Sequence, residues 1–176
     1  MAVHDARVID FLDQCEKAPY SGTVYRVTPK KTDPLAPSLR GSRWMLPNTT
    51  AALYTSCIEN GAMAEIAYNF SRFNPLPRSD VHLHELRVGT KKTARISRVS
   101  LKGIGLDTPM LEASIVATQR IGAAAAFLEY DSILVPSLRW DTDNLVIFAD
   151  IHGFDLELKV AHTKNVDWIE WRDAHS

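Results

Sequence analysis

The chain has 176 residues, a formal net charge of -1, and hydrophobic and charged fractions of 45% and 23%. That size and balance suit one folded domain with a core of its own and exclude disordered and fibrous classes. The near-zero charge excludes a chain that grips nucleic acid through its overall field, so direct nucleic-acid binding is not expected.

In chain order, residues 5–17 read as an amphipathic helix with Val8, Ile9, Phe11 and Leu12 on its apolar stripe, stopped by Pro19 and Gly22. Thr23 to Val27 is a short β-branched strand. Residues 28–42, with Pro29, Pro34, Pro37 and Gly41, form a loop long enough to suggest a functional role. Leu53-Tyr54-Thr55 is a second strand, and Asn60 caps a helix running to about residue 72. Residues 81–101 alternate and predict two strands around a Gly89-Thr90 turn. Residues 110–129 predict one long helix with Leu111, Ile115, Ile121, Ala124, Ala125 and Leu128 inward. Ser132 to Val135 is a buried strand ended by Pro136, and Asn144 to Phe148 is another. Phe154, Leu156, Leu158 and Val160 alternate with charges as a half-buried strand, and the tail from Val166 to Trp171 can dock on the sheet. Trp168 and Trp171 fit an interface or the core equally well. Together these elements predict a single α+β domain over residues 1–176 with mixed strand order.

Cys15 and Cys57 lie in no C-x-x-C pair and read as small buried apolar residues. No signal peptide is evident, and no run approaches the ~18 uncharged apolar residues of a membrane span, so a cytoplasmic location is expected.

Four polar residues stand where scaffolds hold sites, at strand ends and adjoining loops. Arg43 follows the proline-rich loop, Tyr54 lies on a strand, Glu65 lies on the next helix off its Met63/Ile66/Phe70 stripe, and Ser137 follows Pro136. Each has an ordinary explanation by itself: an arginine stacked on Trp44, a core tyrosine, a solvated carboxylate, a turn-capping serine. His82 and His84 share a strand face, but no third ligand is spaced nearby, so no metal is expected and a solvated face is the reading. Arg87, Lys91, Lys92, Arg95, Arg98 and Lys102 form a basic stretch without an acid, read as a solvated hairpin or as a contact for an acidic partner surface.

The order of these residues adds what none carries singly. Gly41-Ser42-Arg43-Trp44, Leu53-Tyr54-Thr55-Ser56, Ala64-Glu65, Ile133 to Arg139 and Asn144-Leu145-Val146 together resemble the RES domain family. The steps from Arg43 to Tyr54 and from Tyr54 to Glu65 are both eleven residues, and Tyr25-Arg26-Val27 is similar to the family's early strand. The resemblance covers about residues 20–150. It implies a mixed-sheet fold similar to that of ADP-ribosyltransferase toxins, and a bacterial toxin that breaks the nicotinamide–ribose bond of NAD+ by phosphorolysis or hydrolysis. It also implies neutralisation by an Xre-type helix-turn-helix antitoxin, and it is compatible with a homodimer inside that complex. NAD+ is then the substrate and inorganic phosphate the co-substrate, with no cofactor required.

By matching position, the resemblance implies an active-site set of Arg43, Tyr54, Glu65 and Ser137, with Arg26 and Asn144 joining them in NAD+ binding. Guanidinium forks suit a pyrophosphate, which gives Arg43 and Arg26 their role. Glu65 would face the sugar carbon as positive charge builds on it. Tyr54 would stack on nicotinamide, and Ser137 would bind a phosphate. The chain departs from the family in having Ser42 where a second glycine is usual, and Met45-Leu46-Pro47-Asn48 after Trp44. Two further functions stay open: protein ADP-ribosylation from the same cleft, and a catalytically weakened module that binds a nucleotide or partner.

Overall fold

The computed structural model describes residues 4–153 and 155–176. Its centre is an eight-stranded mixed sheet whose strands lie in the order β1 (Glu16–Ala18), β5 (Thr93–Arg95), β6 (Ser132–Pro136), β7 (Asp143–Phe148), β3 (Ala52–Ser56), β2 (Ser21–Pro29), β4 (Asp80–Gly89) and β8 (Leu158–Asp167); β5 and β6 are parallel and every other neighbour is antiparallel.

Helix α1 (Ala6–Gln14) starts where the Asp5 carboxylate accepts the Arg7 backbone N–H at 2.9 Å. It ends before the expected boundary because Glu16–Ala18 form strand β1, paired with β5 (Thr93–Arg95). Strand β2 (Ser21–Pro29) is longer than its β-branched centre indicates, because it pairs along nearly its whole length with β4 (Asp80–Gly89). Its pairing with β3 (Ala52–Ser56) is confined to Tyr25 opposite Ser56. The sheet therefore opens on one side of that pair, and the opening is where the candidate site lies.

Helix α2 (Glu59–Phe70) has Ile58 at its N-cap position with no side-chain cap, and Asn60, expected to cap it, lies inside the helix and accepts from the Trp171 indole at 3.2 Å. The expected 81–101 hairpin does not form. β4 lies between β2 and β8, while β5 lies in the other half of the sheet, and residues Arg98–Gly103 form helix α3. Ser97 starts α3 with a reciprocal cap to Ser100. The expected long helix is two: α4 (Thr108–Ala113) and α5 (Ile115–Phe127), divided at Ser114, whose φ of -114° and ψ of 74° leave the helical region.

β6 (Ser132–Pro136) and β7 (Asp143–Phe148) fill the middle of the sheet. Ile133, Val135, Val146 and Phe148 face α1 and α5, and Leu134, Leu145 and Ile147 face the other way with Val24 and Leu53. β8 runs from Leu158 to Asp167, beginning later and ending later than expected, and is largely exposed because it is an edge strand. The expectation for Phe154 lies outside the described residues. The tail forms helix α6 (Trp168–Ala174), which buries Trp168 completely against Met63, Ala67 and Val81. Trp168 is therefore a core residue, and its indole N–H donates to the Arg78 carbonyl at 2.9 Å. Both cysteines are free. Among the described residues no helix is long and apolar enough to cross a membrane.

Candidate active site

A cavity of about 520 Å³ occupies the opening between β2 and β3, walled by α2, the 41–44 loop, the start of α5 and the loop after β6. Four arginines line it, Arg26, Arg43, Arg72 and Arg139, against a single carboxylate, Glu65. Such an excess of fixed positive charge in a partly enclosed space favours an anionic ligand.

The arginine loop is held by one face of α5. Gln119 Nε2 donates to the Ser42 carbonyl at 2.8 Å, and Thr118 Oγ1 donates to the Arg43 carbonyl. Gly122 completes the face, because a Cβ there would overlap the Trp44 carbonyl oxygen. Thr118, Gln119 and Gly122 share this face by helical spacing, so the loop is clamped at three successive residues. The departures from the family pattern leave a closed turn: Ser42 N–H donates to the Met45 carbonyl at 2.9 Å, and Ser42 Oγ accepts the Trp44 N–H at 3.2 Å. Gly41, at φ 79°, meets the left-handed requirement of the bend. Arg43 itself donates to the Leu111 carbonyl at the end of α4. Burial and the nearby Arg139 charge both press its guanidinium towards the neutral form.

Glu65 points from α2 into the cavity, and its Oε1 is fixed twice. Ser137 Oγ donates to it at 3.0 Å and Asn144 Nδ2 at 2.9 Å. Among the described residues nothing hydrogen-bonds Oε2, which leaves one oxygen for a ligand. Ser137 does not line the cavity. It is buried behind Glu65, where its hydroxyl also accepts the Arg139 N–H at 3.1 Å. The Ser137 hydroxyl thus gives its hydrogen to Glu65 and accepts from the loop, inside the wall and not in the cavity itself.

Arg26 lines the cavity but spends its guanidinium on the chain. It donates to the Tyr54 carbonyl at 3.1 Å and the Ala36 carbonyl at 3.5 Å, bridging the strands where they part. Burial lowers its pKa from the usual arginine value. Tyr54 also lines the cavity, and burial raises its phenol pKa strongly, so the hydroxyl stays protonated. Among the described residues, four buried side-chain atoms lack a hydrogen-bond partner: Arg26 Nε, Tyr54 Oη, Ser56 Oγ and Asn144 Oδ1. All four belong to residues of this cavity. Unsatisfied buried polar atoms are costly, and these four are gathered in the wall of one cavity.

The other sequence candidates lie elsewhere. His84 is buried, not solvated: its two ring nitrogens are hydrogen-bonded to Thr28 at 2.9 Å and Thr163 at 2.8 Å, so neither is free to ligate. Among the described residues no cluster of three potential metal ligands occurs. The basic stretch is dispersed over β4, β5 and α3. Arg87, Lys91 and Arg95 pair with Glu157, Asp155 and Glu16, and Arg98 donates to the Ser137 carbonyl at 2.6 Å. Tyr68, Arg72 and Arg139 line the cavity without having been singled out from the sequence. For Tyr68 the signal was its spacing from Glu65, which keeps the two on one face of α2, while Arg72 lies just past that helix and Arg139 on the loop after β6.

Residues 23–169 match the model of the RES domain family. The chain belongs to the RES domain family. No curated protein matches the sequence significantly. Among solved structures, the RES domain described here is similar to a chain in the crystal structure of the M. tuberculosis MbcT–MbcA toxin–antitoxin complex. The TM-score is 0.79 at 20% identity, covering 96% of this chain and 97% of the other. The two chains therefore share this α+β fold.

Proposed function

We propose that this RES domain is the toxin of a bacterial toxin–antitoxin pair, that it cleaves the nicotinamide–ribose bond of NAD+ in the cytoplasm, and that an Xre-type antitoxin restrains it. The observation that carries the reading is Glu65: a lone carboxylate with one oxygen fixed and the other open, in a cavity whose other charged residues are four arginines. A dinucleotide with a doubly charged bridge and a cationic base is complementary to that arrangement. The membership of the family and the toxin–antitoxin assembly of its structural neighbour support the biological setting.

Nicotinamide leaves as a neutral ring, taking the C–N electron pair, while positive charge builds on the ribose carbon and its ring oxygen. The free oxygen of Glu65 stabilises that charge and holds a ribose hydroxyl. Tyr54 supplies an apolar wall for the leaving ring, and its unpartnered hydroxyl offers a hydrogen bond to the carboxamide. Arg43 neutralises the bridge. The new bond to carbon forms from an oxygen of inorganic phosphate, giving a sugar phosphate, or from water, which gives up a proton.

Purified protein incubated with NAD+, with and without phosphate, tests this by nicotinamide release and product mass. ADP-ribose carrying a phosphate on the reacting carbon indicates phosphorolysis, and plain ADP-ribose indicates hydrolysis. Absence of nicotinamide release from folded protein under either condition overturns the reading, and label appearing in protein replaces it with ADP-ribosyl transfer.

A further inference from the structure

The face of α2 that carries Glu65 continues along the cavity. Tyr68 and Asn69 follow Glu65 at helical spacing, Arg72 lies just past the Ser71 C-cap of α2, and all three line the same space. Tyr68 is 42% exposed, and the Arg139 guanidinium carbon stacks 3.5 Å from the centroid of its ring. The Arg72 guanidinium approaches the same ring at 5.8 Å. Among the described residues, neither guanidinium meets a carboxylate or donates to any acceptor. Arg26, by contrast, has both terminal nitrogens committed to main-chain carbonyls.

Arg139 is held in place from behind. Its loop closes with the Ser137 N–H donating to the Thr142 carbonyl at 2.9 Å, and its own N–H bonds to Ser137 Oγ at 3.1 Å. The next residue, Trp140, packs against Trp171 and His175 of the C-terminal segment at ring separations of 5.6 and 5.8 Å. A guanidinium laid flat on an aromatic ring keeps its N–H edge free for an anion while its face is satisfied.

We propose that Arg139 and Arg72, arranged about Tyr68, form the pyrophosphate subsite of the cavity, in place of Arg26. The assignment rests on the reading of the ligand as a dinucleotide with its reacting sugar at Glu65. The anionic bridge then lies beyond Glu65, on the side of the cavity that Tyr68, Arg72 and Arg139 line. Arg43, whose charge is opposed by Arg139, closes the subsite from the loop side. A bound anion relieves the repulsion among these cations, and Arg26 keeps the structural task of bridging β2 and β3.

Calorimetric titration with ADP tests the subsite alone, because ADP has the pyrophosphate and no bond for the enzyme to cleave. The wild-type protein is expected to bind ADP with an affinity that weakens as salt rises. Arg139→Gln and Arg72→Gln each weaken it by about tenfold, the scale of one charge-assisted contact. Lys102→Gln, on exposed α3, leaves it unchanged. Thermal melting confirms that the variants fold. Failure of the wild-type protein to bind ADP, or ADP binding by both arginine variants at the parental level, overturns the assignment. ADP binding through these arginines in a protein that releases no nicotinamide upholds the subsite and removes the proposed reaction, so the two failures are distinguishable.

Discussion

Ser137 donates its hydroxyl hydrogen to Glu65 Oε1 at 3.0 Å, across a sequence separation of 72 residues. The contact joins the end of β6 to the middle of α2, so the orientation of the carboxylate depends on the sheet as well as on its own helix. Ser137→Ala is expected to leave KM for NAD+ nearly unchanged, because the side chain does not line the cavity. It lowers kcat by on the order of 100-fold through misplacement of the carboxylate. Steady-state nicotinamide release separates the two parameters; a rise in KM with kcat intact would return Ser137 to a ligand-binding role.

Gly122 sets how closely α5 approaches the arginine loop. Gly122→Ala places a methyl group against the Trp44 carbonyl, which must move along with Arg43. The expected cost is about 1–3 kcal/mol of stability, accompanied by weaker ADP binding. Gly103→Ala provides the contrast, since a Cβ there meets nothing within 4 Å. Chemical denaturation of both variants checks the difference; equal stability would mean that the loop is not clamped by α5.

His84 gives the fold an acid sensitivity. Burial, with the nearby His82 and Arg26 charges, lowers its pKa in the folded state. The unfolded chain therefore binds a proton more readily than the native one, and stability is lost as pH falls below the ordinary histidine value of about 6.5. Melting temperature is expected to drop more steeply between pH 7.5 and 5.5 for the wild-type protein than for His84→Gln. Parallel pH profiles would remove His84 as the cause.

The C-terminal helix holds the site loop through stacked rings, with Trp171 and His175 separated by 4.3 Å and Trp140 against both. Trp171→Ala also removes the bond to Asn60. It is expected to cost about 1–2 kcal/mol of stability and to weaken ADP binding several-fold through the mobility of Arg139. Unaltered ADP affinity in a destabilised variant would confine Trp171 to a structural role.

Much of this arrangement was legible before the fold. Local periodicity identifies β6, β7 and the buried Ile121, Ala124 and Ala125 of α5, while Ile115, expected on the same inward face, is exposed at the start of that helix. It failed where partners are distant. The pattern of 81–101 marks strands but carries no information about pairing, so β4 and β5 were joined as a hairpin although they belong to opposite halves of the sheet. Val99 contributed to that reading, yet it is 82% exposed on α3, whose start is signalled by Ser97 and Ser100. β8 was misplaced because an edge strand exposed along most of its length shows little alternation. The spacing of Arg43, Tyr54 and Glu65 brought three cavity residues forward. The place of Ser137 behind the wall, and the stack of Arg139 on Tyr68, depend on a loop returning to α2 from another part of the chain.

The most direct test of the account compares nicotinamide release from saturating NAD+ by the wild-type protein and by Glu65→Gln, with ADP binding measured on both. The wild-type protein is expected to release nicotinamide steadily and the variant to lose at least about 1,000-fold of that rate, with ADP affinity retained. A Glu65→Gln protein that binds ADP and releases nicotinamide at the parental rate would contradict it.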